Sequence, residues 1–198
     1  MAKVVDYYHF LISPYAYLGS VRFTEIATRL GATVNVVPIS AAKVFPVSGG
    51  LPLPKRAPQR QAYRLVELAR WRDHLGLPLN LEPKFFPADE SQAARMVVAA
   101  RRGGQDVLAL SNAVLRAVWA EERNIADPDT LAAIVGEAGF DAAALAAAAA
   151  DPAVEADYEA GTDAAIAADV FGSPTYVIDG TLFWGQDRLD FVERALAG

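Results

Sequence analysis

The feature that most limits this chain is a change of hydrophobic period, made twice, once near each end. Residues 3–10, "KVVDYYHF", are β-branched and aromatic and read as a mostly buried strand. From residue 14 the period becomes helical, with Leu18, Val21, Phe23, Ile26 and Leu30 as apolar positions and Gly31 suited to the residue after the helix. Residues 33–39, "TVNVVPI", return to the strand pattern, and Pro38 marks an edge or strand end. At the far end, "TYVI" and "TLFW" flank Asp179-Gly180, a strong hairpin signal, and residues 187–196 are helical.

The middle is different. Residues 41–58 are rich in Gly and Pro and read as a long loop. Helical patterns follow at 59–75, 88–102, 105–122, 128–138, 141–150 and 152–169, the last with a possible break at Gly161. Asp127-Pro128 and Asp151-Pro152 each set a capping acid before a proline at the first helical position. The order β-α-β, many helices, β-β-α predicts an α/β, thioredoxin-like fold with a large all-helical insertion between its two halves. The expected division is residues 1–40 plus 172–198 for the thioredoxin-like domain and 41–171 for the loop and helical insertion.

Composition removes several function classes. With no cysteine, disulfide exchange and thiolate metal sites by the protein itself are excluded. Two histidines, His9 and His74, are too few for a multi-histidine metal centre. A net charge of −6 argues against nucleic acid and anionic membranes as partners. No apolar run reaches the length of a membrane span, and "MAKVVDYYHF" does not read as a signal peptide. A cytoplasmic location is the expectation.

In the expected fold the first strand delivers residues 13–16, Ser-Pro-Tyr-Ala, to a helix N-terminus. Unpaired backbone N–H groups and the positive dipole end favour an anion there. Redox members of the fold carry Cys-x-x-Cys at this point; here Ser13 and Ala16 stand instead. Ser13 reads either as a plain N-cap before Pro14 or as a hydroxyl that steadies a thiolate brought by another molecule, and one atom can do both. Pro174, after Gly172-Ser173, lies where this fold carries a cis-proline facing the active-site helix. If that bond is cis, the Ser173 backbone can pair with an extended ligand; the other reading is an ordinary strand-initiating proline. Gln186 and Asp187 read as a helix start or as a site for the ends of a small zwitterion.

Together, "YYHFLISPYAYLG", "PQRQAYRLVELARWRDHLGLPLNL", "KFFP" and "FGSPTYVIDGTLFWGQDRLD" resemble the 2-hydroxychromene-2-carboxylate isomerases and kappa-class glutathione transferases, in the DsbA-like branch of the thioredoxin superfamily. The resemblance runs essentially end to end. It implies a glutathione-dependent enzyme and a homodimer. Ser13 would activate the glutathione thiolate. The backbone of Ser173, before Pro174, would pair with its cysteinyl part, and Gln186 and Asp187 would bind its γ-glutamyl end. Arg60 stands where the family often places a lysine near the glycyl end or a polar substrate. The implied reaction is isomerisation of an unsaturated aromatic acid, with a kappa-like transferase or peroxidase as the alternative.

Lys43, Lys55, Arg56 and Arg60 are candidates for a substrate carboxylate. Phe45, Tyr15, Tyr63, Trp71, Phe85 and Phe86 are candidates for an aromatic slot or for core packing. His9 stands near a first-strand position where the family often has an acid, and reads as an acid/base or a structural group. Ser173 replaces the family's common valine. A non-catalytic peptide-binding module remains the reading from another class.

Overall fold

The computed structural model describes residues 3–198. Its sheet has β1 (Val4–His9), β2 (Thr33–Pro38), β3 (Thr175–Ile178) and β4 (Thr181–Trp184), in the spatial order β2-β1-β3-β4. β1 runs parallel to β2, across the helix α1 (Pro14–Leu30), with Tyr7 opposite Val36. On its other side β1 pairs antiparallel with β3, with Tyr7 opposite Tyr176, and β3 turns into β4 through Asp179-Gly180. The chain therefore has the thioredoxin-like fold with a helical insertion that its sequence predicts. β1 lies at the centre of the sheet because its side chains are apolar on both faces.

Alternation along β1 sorts its side chains into two cores. Val5 and Tyr7 join Phe23 and Ile26 of α1, Tyr176 and Ile178 of β3, and Leu189 and Val192 of α9 (Leu189–Ala197). Tyr8 and Phe10 face the other way, with Val37, Ile39, Val44 and Ala165. α1 is held at both ends. Ser13 caps its start, and Gly31, at φ 61°, lets the Gly31 and Ala32 N–H groups reach back to the Thr28 and Ala27 carbonyls at 3.2 and 2.9 Å.

The insertion holds α3 (Pro58–Leu75), α4 (Ser91–Arg102), α5 (Val107–Trp119), α6 (Pro128–Glu137), α7 (Ala142–Ala149) and α8 (Pro152–Ala167). Its apolar faces continue the first core through Leu68, Val97, Leu110, Leu115 and Leu131. Asp127 and Asp151 accept from the Thr130 and Ala153 N–H groups at 2.8 and 2.9 Å, so both Asp-Pro pairs act as the sequence predicts.

Three expectations are corrected. Residues 41–58 are not one long loop: Ala41–Ser48 form a helix, α2, and Leu53–Lys55 a 3-10 turn. Val44 anchors α2 in the second core and Gly49 ends it in the left-handed region, although Pro46 removes one helical hydrogen bond. α8 does not break at Gly161. A Cβ at Gly161 would stand 2.9 Å from Val37 Cγ1, so the glycine serves the contact between helix and β2. The helix expected over 105–122 stops at Trp119, whose carbonyl accepts from Asn80 N–H at 2.8 Å.

Candidate active site

The end of β1 and the loop before β3 meet at Ser13. Ser13 Oγ accepts from Ala16 N–H at 3.2 Å, which is the capping bond. It also donates to the Ser173 carbonyl at 3.3 Å. Pro14 has no N–H, and the Tyr15 N–H, one residue further on, has no intrahelical acceptor at that position. The head of α1 thus presents a hydroxyl and a backbone donor at the positive end of a helix dipole.

The Ser173-Pro174 peptide is cis. Ser173 Oγ accepts from Phe10 N–H at 2.9 Å, tying this loop to the end of β1. A valine could not make that bond, so the serine at this position replaces apolar packing by a polar tie. Thr175 Oγ1 donates to the Gly172 carbonyl at 2.8 Å, and Gly185 N–H to the Pro174 carbonyl at 2.9 Å. Gly172 lies so close to Trp184 that a Cβ would meet its indole Nε1 at 2.5 Å.

The other expected site residues are less uniformly gathered. Gln186 is 3% exposed, its Cβ packed where Gly19 leaves room on α1. Asp187 follows in a 3-10 turn, made accessible by Gly185 at φ 102°, and pairs with Arg188 at 2.7 Å. Arg60 lies exposed in the first turn of α3 and makes no ion pair among the described residues. Lys43 is engaged by Glu159 at 2.7 Å, and Arg56 Nε donates to the Leu51 carbonyl at 2.7 Å. Of the aromatic candidates, Phe45 packs edge-on against Phe10, Phe86 leans on Trp119, and Tyr63 and Phe85 are exposed.

His9 is fully buried. Its ring stacks on Tyr7 with centroids 4.3 Å apart, Nε2 bonds Ser111 Oγ, and Nδ1 has no hydrogen-bond partner among the described residues. Burial pulls its pKa down to about 3, so the ring is neutral and acts as a packed core group.

Three further residues surround the junction. Glu90, just before α4, accepts the Ile12 N–H on Oε2 at 3.0 Å. The residue keeps some exposure, but its carboxyl group points inward, and burial raises its pKa to about 8. At neutral pH it is mostly uncharged and does not oppose an anion at the head of α1. Trp119 Nε1 donates to the Ile12 carbonyl at 3.2 Å, so both backbone groups of the residue before Ser13 are held by the insertion. Arg64 stacks beside Trp119 and Phe86. The sequence offered one clue to it: Arg64, Leu68, Trp71 and Leu75 follow helical spacing, which puts an arginine on an apolar face. Glu90 and Ser111 carried no such mark.

The family described as the DSBA-like thioredoxin domain matches residues 4–197. A 2-hydroxychromene-2-carboxylate isomerase from Pseudomonas putida is 33% identical over 98% of this chain and 94% of its own length. One from Sphingobium xenophagum is 29% identical over 99% of both. The solved structure of a 2-hydroxychromene-2-carboxylate isomerase superposes with a TM-score of 0.80 at 31% identity, covering 98% of this chain and 94% of that one.

Proposed function

The chain belongs to the DSBA-like thioredoxin family and, within it, to the 2-hydroxychromene-2-carboxylate isomerases, and from that premise we propose a glutathione-dependent isomerase acting on an unsaturated aromatic acid. One observation carries the glutathione part of the reading. Ser13 Oγ, at the head of α1, holds its proton on the Ser173 carbonyl beside cis-Pro174, in a protein without cysteine.

That arrangement fits a borrowed thiol. The Ser173 carbonyl accepts only a long bond of 3.3 Å, so a ligand N–H can displace Ser13 from it. The freed hydroxyl then turns its proton toward the sulfur while its lone pair still caps Ala16 N–H. Hydroxyl, Tyr15 N–H and helix dipole all favour the ionised sulfur, and each unit by which they lower its pKa corresponds to about 1.4 kcal/mol. Ser173, Gln186 and Asp187 would hold the peptide and γ-glutamyl parts. When bound, glutathione would supply a sulfur nucleophile able to add reversibly to a conjugated acid, with no net consumption of the thiol. The chain's own part is to orient, to stabilise the anion and to keep the acid of Glu90 neutral beneath it. The reading implies a reducing, glutathione-rich compartment, the cytoplasm, and by resemblance a homodimer.

The test is thermal stabilisation by millimolar glutathione, with ultraviolet absorbance following ionisation of the bound thiol against pH. We expect stabilisation, a thiol pKa below that of free glutathione, and a higher bound pKa with Ser13→Ala. Absence of binding at millimolar glutathione overturns the reading.

A further inference from the structure

Arg64 lies on the buried face of α3 and is 8% exposed. It makes no ion pair among the described residues, and its Nη2 has no hydrogen-bond partner. Its guanidinium carbon stands 5.3 Å from the Phe86 ring centroid and 5.5 Å from that of Trp119. The charged or titratable groups that act on it are Tyr15, in the first turn of α1, and a second cation, Arg56; no carboxylate is among them.

A buried guanidinium without a counter-ion is rare, because removing the charge from water is costly and aromatic faces return only part of the loss. The group that would complete it is an anion. Arg56 disfavours a cationic ligand, and the planar fork of Arg64 suits the paired oxygens of a carboxylate. Phe86, Trp119 and Tyr15 supply apolar, flat surroundings. Trp119 also donates to the Ile12 carbonyl, so the arginine packs on a side chain that itself touches the residue before Ser13.

We propose that Arg64 is the receptor for the carboxylate of a planar aromatic acid, built into the interior beside the head of α1. The proposal rests on the preceding reading only in taking Ser13 as the reacting end; the anion site stands on Arg64 and its surroundings. Lys43 is already paired with Glu159, and Arg56 spends its Nε donor on the Leu51 carbonyl.

The probes are cinnamate and its neutral analogue cinnamamide, titrated by calorimetry into the whole protein without glutathione. The wild type should bind cinnamate at least about tenfold more tightly than cinnamamide. Arg64→Met, close in shape and uncharged, should lose that preference, and Arg64→Lys should keep part of it. Without ligand, Arg64→Met should melt no lower than the wild type, since it removes an unpaired buried charge. A wild type that does not distinguish the two probes overturns the proposal. So does Arg64→Met binding cinnamate as tightly as the wild type, or melting far below it, which would mark a structural arginine. If Arg64→Met does not fold, the proposal is refuted by that result. Glutathione stabilisation, measured in parallel, separates the two readings: its absence with Arg64-dependent cinnamate binding intact refutes the glutathione isomerase and leaves the carboxylate site standing.

Discussion

Among the described residues, Ser111 Oγ is the one side-chain hydrogen-bond partner of the His9 ring, and both residues are fully buried. The ring is neutral and already carries one unpaired nitrogen, so a second loss leaves an imidazole with no polar contact. Ser111→Ala should lower unfolding free energy by about 1–3 kcal/mol, the cost of stranding a buried polar group. The double variant His9→Phe/Ser111→Ala should recover most of the loss, because phenylalanine keeps the stack on Tyr7 and needs no partner. Urea denaturation of the single and double variants checks this, and a double variant weaker than Ser111→Ala would contradict it. The partnership joins positions 102 residues apart. Sequence shows a histidine in a strand; it does not show which serine the fold brings to it.

The elements that flank the site depend on close approaches that only glycine allows. Gly19 lies in the middle of α1, where an alanine would add helix propensity worth up to about 1 kcal/mol. Its Cβ, however, would stand 2.8 Å from Gln186 Cβ and 3.2 Å from the Tyr176 hydroxyl. Overpacking of that kind costs about 1–3 kcal/mol, so Gly19→Ala should be net destabilising by about 1 kcal/mol and should displace the Gln186 turn. A thermal melt checks the sign; a higher melting temperature would mean that the turn moves freely. Elements of this sort were legible to different degrees. α1 was readable because its start, its apolar stripe and its Gly31 stop all lie in local sequence. α2 was not, because its proline and small residues mimic a loop and tertiary contacts, chiefly the burial of Val44 in the second core and Phe45 against Phe10, secure the helix. Gly161 misled for a related reason: a glycine that breaks a helix and one that admits a neighbouring strand look alike until the neighbour is placed.

Across the whole molecule, the meeting of Ser13 with the Ser173-Pro174 loop in the candidate site is legible from the sequence, and the side chains that the insertion brings beside it are not. Ser13, Ser173 and Pro174 sit at junctions fixed by element order. Glu90, Trp119 and Arg64 reach the same junction from three segments; helical spacing places Arg64 on an apolar face, but no local pattern encodes which neighbours these segments meet. Two buried groups then shape how stability depends on pH. His9 has its pKa lowered from 6.5 to about 3, so below pH 6.5 the unfolded chain binds a proton that the folded one refuses. Stability therefore falls as pH drops from about 6.5 toward 3, by up to about 1.4 kcal/mol per unit. Glu90 has its pKa raised from 4.5 to about 8, so the folded state holds a proton that the unfolded one releases. Its contribution is complete below 4.5 and is lost as pH rises through 8, with a limiting slope of the same size. Between about 4.5 and 6.5 the two slopes oppose each other and cancel, which places a plateau there with losses on both sides. Urea midpoints measured from pH 4 to 9 should show it. Glu90→Gln, which keeps an acceptor for Ile12 N–H, should flatten the alkaline limb and leave the acid limb; His9→Phe should do the reverse. An alkaline limb unchanged by Glu90→Gln would mean that the carboxyl beneath Ile12 is ionised in the folded protein, and that the head of α1 carries a negative neighbour at neutral pH after all.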